Sequence, residues 1–199
     1  MATSLSNEIL WKRITGAVEA VRRRLEKACA ALEGAGIQHA VVGGNAVAVW
    51  VGTVDEGAIR NTRHVDLLLR RGDLPAATSA LEQAGFVAVK SFGVTMFLEG
   101  PDAKPSESVH ILFASEKVRD DYAMATPDVT ESEMPTTYRV ISLEPLVRME
   151  LSSCRAENGM HLRDLIGVAS SMPPGSLACH PHYPSASPKF WPIPTASAL

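Results

Sequence analysis

A chain of 199 residues with 46% hydrophobic and 21% charged residues has the composition of one soluble globular domain with a proper core. Its formal net charge of −3 and pI near 6.1 exclude a dominant nucleic-acid-binding surface. For such a partner they leave only a local patch, the basic run VRRRLEK at 21–27, which reads as the solvated face of a helix. No apolar stretch approaches the roughly 18 residues of a membrane span. The N-terminus MATSLSNEILWKR lacks a charged start followed by an apolar core, so no signal peptide is expected. Cys29, Cys154 and Cys179 are widely spaced and form no C-x-x-C pair. That pattern fits a reducing, cytoplasmic interior rather than a disulfide framework.

From Asn7 to Leu32 the residues Leu10, Ile14, Val18, Val21, Leu25, Ala28 and Leu32 recur at steps of three and four. This is the pattern of a long amphipathic helix, ended by EGAG. HAVVGG then reads as a short buried strand over 39–43, and NAVAVWV as a helix opening directly after the two glycines. After a polar connection, HVDLLLR at 64–70 is continuous enough in apolar residues to be a central strand.

The stretch 73–86 is a helix with Asp73 at its cap and Pro75 in its first turn. VAVKSFG, VTMFLEG and SVHILFA follow as strands punctuated by Gly and Pro, with boundaries over 87–100 poorly marked and the third strand spanning 108–114. A helix over 142–155 opens at Ser142 with Pro145 in its first turn, and 161–170 is another. From Pro173 to Leu199 the chain holds seven of its 13 prolines and no apolar periodicity. The expected organisation is therefore a single domain over 1–172 and an extended or disordered tail over 173–199. Cys179, His180 and His182 look like metal ligands, but a floppy tail seldom preorganises a site. There are no internal repeats, and nothing in the pattern sets an oligomeric state.

Two features point to chemistry. Glycines at a strand-to-helix turn let a phosphate approach the N–H groups of a helix N-terminus, or simply make a tight packing turn. His64 and Asp66, two apart on a strand, point to one face. An Asp beside Leu67 and Leu68 needs a compensating partner.

The pieces VVGGNAVAVW, RNTRHVDLLL, SVHILFASEKVR and SLEPLVRMELSSCRAENGMHLRDL, spanning roughly 37–166, resemble the nucleotidyltransferase superfamily of polymerase-β-like enzymes and abortive-infection toxins. The resemblance implies an α/β fold: a small mixed β-sheet flanked by helices, with the long N-terminal helix packed alongside, C-terminal helices and the Pro-rich tail. It also implies two Mg²⁺ ions on a D-x-D pair and a third carboxylate, aligning a hydroxyl with the α-phosphate of a nucleoside triphosphate. Carried over, Gly43 and Gly44 fill the turn, Asn45 follows them on the nucleotide side, and Asp66 fills the second Asp. His64 stands in place of the first Asp, His110 in place of the third carboxylate, and Glu150 in place of a lysine. Arg60 and Thr62 are candidates for the pocket rim, with Arg60 facing either an anionic substrate or solvent. His161 and Asp164, three apart on a helix, would cap or pair with Arg155.

Mg²⁺ prefers oxygen, and imidazole is a poor substitute for carboxylate. Two imidazoles and one carboxylate suit Fe²⁺ or Zn²⁺ better than Mg²⁺. Three readings follow. The first is a divergent metal-dependent enzyme acting on a small molecule through His64, Asp66 and His110. The second is an active Mg²⁺-dependent nucleotidyltransferase that modifies a nucleic acid, a protein or a small hydroxylated acceptor. The third is a catalytically inactive binding module, in which His64 and His110 are structural histidines.

Overall fold

The computed structural model of the protein describes residues 6–91, 93–101, 103–153 and 158–172. The proline-rich segment 173–199, with Cys179, His180, His182, Phe190 and Trp191, lies outside the described residues, as do Cys154 and Arg155.

The first element, α1, runs Asn7–Gly34. The Ser6 hydroxyl caps it by accepting the Ile9 N–H at 3.4 Å. At its other end Gly36 adopts φ +69, and the Ile37 N–H donates to the Leu32 carbonyl at 2.9 Å. A left-handed glycine of this kind is how helices commonly stop. The apolar face behaves as two segments. Leu25, Ala28, Cys29 and Leu32 are buried, while Leu10, Trp11, Ile14 and Val18 stand exposed. The basic run at 21–27 is only partly the solvated face expected of it. Arg24 is 5% exposed; its Nη1 donates to the Arg63 carbonyl at 3.3 Å and its Nε lies 3.5 Å from Glu99.

Seven strands form one mixed sheet among the described residues: β1 (His39–Val42), β2 (Val65–Leu69), β3 (Val87–Ser91), β4 (Val94–Leu98), β5 (Val109–Phe113), β6 (Ser132–Glu133) and β7 (Val140–Ile141), in the order β3-β4-β5-β2-β1-β7-β6. The central pairs are β1 with β2, antiparallel, and β2 with β5, parallel. The expected strands near 39–43, 64–70 and 108–114 thus lie side by side in one sheet. The pairs β6 and β7 are two residues each, too short to carry a periodicity.

The helices α2 (Gly43–Gly52), α3 (Leu74–Gln83), α4 (Leu143–Ser153) and α5 (Asn158–Ser171) follow the expected order. Asp73 sits at the start of α3, but its side chain makes no cap bond, because a 3₁₀ turn over Arg71–Asp73 already leads into the helix. In α1 and α3 the chain builds one layer, against β1, β2, β3 and β5. The second layer is α2, α4 and α5, with α2 resting on β1, β2 and β7. The indole of Trp50 in α2 donates to the Ile141 carbonyl at 2.9 Å, which fixes this layer to the sheet. No helix among the described residues is long and apolar enough to cross a membrane.

Candidate metal centre

The centre forms where β1 turns into α2 and faces the start of β2. Gly43 adopts φ +62, a conformation that L side chains rarely take. A Cβ built there would stand 2.6 Å from Asp66 Oδ2. The glycine therefore serves two needs, the turn itself and the space into which the Asp66 carboxylate fits. A Cβ on Gly44 would come within 3.2 Å of the Thr62 side chain, so this second glycine lets the 60–64 connection lie against the helix start.

Asp66 is in β2, paired in register with His110 of β5. Partners in register point to the same side of a sheet. His64 precedes the strand by one residue, since β2 begins at Val65 rather than at His64. Its main chain is nonetheless held. The Asn45 Nδ2 donates to the His64 carbonyl at 2.9 Å, and the Thr62 hydroxyl donates to the same oxygen at 3.4 Å.

With these restraints the three side chains meet. His64 Nε2 lies 3.4 Å from Asp66 Oδ2, and His110 Nδ1 lies 3.5 Å from Asp66 Oδ1. The two imidazoles stack with centroids 4.7 Å apart and planes at 25°. Asp66 is covered by them, with a side-chain exposure of 16% against 40% for His64 and 25% for His110. Burial pushes the Asp66 carboxyl up, but its bonds to His110 and His64 outweigh that and hold it below the ordinary 3.8. The Asp66 carboxylate in turn raises the His64 imidazole above its ordinary 6.5.

These contacts are loose for hydrogen bonds, which centre near about 2.9 Å. They match ligand atoms around one ion: at metal–ligand bonds of roughly 2.0–2.2 Å, tetrahedral angles place ligand atoms ~3.4 Å apart. One ligand atom from each of His64, Asp66 and His110 lies within 4.8 Å of the others. The donor set fits one borderline divalent ion such as Zn²⁺ or Fe²⁺. It does not fit a pair of Mg²⁺ ions, for which the cluster offers a single carboxylate.

The remaining candidates lie around this centre with partners of their own. Arg60 commits its Nε to Asp164 of α5 at 2.7 Å; the expected pairing with Arg155 lies outside the described residues. His161 bonds through Nδ1 to Glu150 at 3.2 Å, and Glu150 is 5% exposed. Sequence reasoning missed Arg24, which holds the Arg63 carbonyl next to the centre. The signal was present: Leu10, Ala17, Arg24 and Ala31 lie seven apart, which puts Arg24 beside the buried stripe.

A mixed sheet with a Gly-Gly turn opening α2 and an acidic residue on the adjoining strand defines a nucleotidyltransferase-like fold, and solved structures bear this out. No family model and no curated protein matches the sequence. The chain is similar to the antibiotic-resistance factor ANT(2'')-Ia in its solution structure, with 14% identity, 79% of this chain and 84% of that one covered, and a TM-score of 0.50. The crystal structure of ANT(2")-Ia in complex with adenylyl-2"-tobramycin gives 14% identity, 72% and 86% coverage, and a TM-score of 0.50. An antigenic nucleotidyltransferase-like protein from Paracoccidioides brasiliensis matches at 15% identity over 77% of each chain, with a TM-score of 0.49. The chain has the nucleotidyltransferase fold; at these identities the likeness speaks for the fold alone.

Proposed function

We propose that the protein is a metal-dependent enzyme on the nucleotidyltransferase fold, binding one borderline divalent cation through His64, Asp66 and His110 and acting on a small molecule. The observation that carries this reading is the convergence of the three ligand atoms, at ion-sized separations, on one side of the sheet. Asp66 supplies the negative charge that offsets a dication, and the two imidazoles supply the nitrogen donors that a borderline metal prefers. Asn45 and Thr62 hold the main chain of His64 so that its ring stays over Asp66. Such a cation, when bound, supplies Lewis-acid polarisation of a carbonyl or phosphoryl oxygen. The half-exposed edges of His64 and His110 leave that side open to a substrate.

Elemental analysis and calorimetric titration with Zn²⁺ and Fe²⁺ test the reading. One equivalent should bind to the native chain. His64→Ala, His110→Ala and Asp66→Ala should each weaken binding at least about 100-fold, more than loss of a supporting hydrogen bond typically does. Native affinity no better than that of Asp66→Ala would sink it.

The fold and the left-handed Gly43 favour one other reading, transfer of a nucleotide from a nucleoside triphosphate with Mg²⁺. Titration with ATP and Mg²⁺ separates the two. On the first reading nucleotide binding stays weak and His64→Asp lowers Zn²⁺ affinity; on the second, His64→Asp rebuilds a D-x-D pair and raises Mg²⁺ and nucleotide affinity. Binding of neither metal nor nucleotide would mark an inactive module.

A further inference from the structure

We propose that the side of β4 and β3 adjoining the metal centre is the floor on which the apolar body of the protein's small-molecule substrate lies. This rests on the metal-site reading above. The strand registers form one continuous row: Val42 pairs with Asp66, Asp66 with His110, His110 with Met96, and Met96 with Val89. Residues paired in register share a face, and neighbouring strands lie about 4.8 Å apart. Met96 is therefore one strand from the His110 imidazole, and Val89 one strand further, on the same side as the cluster.

On β4 and β5 the opposite side is closed, while on β3 Ala88 and Lys90 stand exposed there. Thr95 is 7% exposed, Phe97 0%, Val109 0% and Ile111 4%, where α1 and α3 cover the sheet. On the metal side Met96, Val89 and Leu112 are only half-buried, and Val94 and Val87 are exposed. An apolar surface that begins beside a cluster of titratable groups and that, among the described residues, is covered only at Leu98 fits an amphiphilic ligand. Its polar end would lie at His110 and its apolar body would run about two strand spacings, roughly 10 Å, across Met96 and Val89. Methionine suits such a position because its unbranched side chain adapts to the ligand's shape. The floor carries no charged side chain among Val87, Val89, Val94 and Met96, so it selects for apolar bulk rather than for a second charge.

Straight-chain hydroxamates test this on the Zn²⁺-loaded full chain, because the hydroxamate head chelates zinc while the tail length varies. Calorimetry should give affinities that rise from acetohydroxamate to octanohydroxamate by roughly two- to fourfold per methylene until the floor is filled. Met96→Glu should erase that rise. Met96→Leu should preserve the rise, and Val89→Glu repeats the charge test if the first variant fails to fold. Acetohydroxamate binding without dependence on tail length overturns the floor and leaves the metal centre standing. A chain that takes up no Zn²⁺, or holds Zn²⁺ without binding acetohydroxamate, overturns the floor and, in the first case, the metal centre as well. A native dimer that Met96→Glu splits into monomers, with no effect on the hydroxamate series, assigns this face to a second copy and also overturns the floor.

Discussion

The two sides of the sheet place the same residue type in opposite situations. His39, in β1, pairs with Leu69 and so shares a side with Val41, Leu67 and Leu69, all fully buried. It is 4% exposed; its Nδ1 donates to the Ile37 carbonyl at 3.0 Å, and its Nε2 is buried without a partner among the described residues. Burial pushes its pKa down. One residue along β2, on the other side, Asp66 gathers His64 and His110 and raises His64 instead. The same two strands thus pack on both sides, Ala40, Val42 and Leu68 being as buried as Val41 and Leu67, and the candidate site occupies only the end of the second side, at Asp66. A buried residue on the His39 side should change stability and leave metal affinity alone, while His64, Asp66 and His110 should govern metal affinity.

Leu67→Ala tests the His39 side and should have the largest effect. Leu67 is fully buried between Asp66 and Leu68 in β2. Truncation should cost about 2–5 kcal/mol, lowering the melting temperature by roughly 2–4 °C per kcal/mol for a domain of this size. The folded fraction should keep native Zn²⁺ affinity. Metal loss in step with the folded protein's loss of stability would show that the two faces are coupled after all.

Gly43→Ala probes the seam between them, with Gly36→Ala as its control. Both glycines have positive φ, +62 and +69, so alanine at either costs about 1–2 kcal/mol of backbone strain. Only at Gly43 does the new methyl meet the Asp66 carboxylate, at 2.6 Å; at Gly36 nothing lies within 4 Å. Gly43→Ala should therefore lose stability and weaken Zn²⁺ binding, whereas Gly36→Ala should lose stability alone. Equal metal affinity in the two variants would mean that Asp66 does not depend on the space Gly43 leaves.

Much of this division is legible in the sequence, and its limits have physical causes. The i, i+2 spacing of His64 and Asp66 and the apolar runs of the strands suffice to place the two side chains on one face. The order of the family-like pieces brings His110 beside them. What periodicity cannot say is what covers an apolar face. The stripe of α1 continues unbroken from Leu10 to Leu32, yet it is partly covered from Val21 and fully buried only from Arg24 onward. Two-residue strands such as Val140–Ile141 have no period to read; they exist because β1 offers an edge, with the Val41 N–H donating to the Arg139 carbonyl at 2.8 Å. Partner choice among charges is equally hidden, since Arg60 with Asp164 and His161 with Glu150 depend on where α5 lies against α2 and α4.

The smallest expected effect is also the most direct test of the contrast between histidines. His39 titrates among apolar neighbours, and burial is the first cause of its lowered pKa. The Ile37 carbonyl and Glu33 raise the value, and Arg139 lowers it further, with burial prevailing overall. Because the folded pKa lies below the unfolded 6.5, the unfolded chain binds the proton more readily. The stability His39 contributes is therefore complete above 6.5 and is lost as pH falls through the folded value. His161 carries the opposite sign. Its bond to Glu150 raises its pKa, so its contribution is complete below 6.5 and is lost as pH rises. The native pH profile sums both, which is why a variant is needed. His39→Asn keeps a donor for the Ile37 carbonyl and does not titrate. The stability difference between native protein and His39→Asn, measured by urea unfolding at pH 7.5 and 5.5, should shift toward the variant at the lower pH. One proton limits that shift to about 1.4 kcal/mol per pH unit. A difference that stays constant would mean that His39 meets solvent, or a partner for its Nε2, before it takes up its proton.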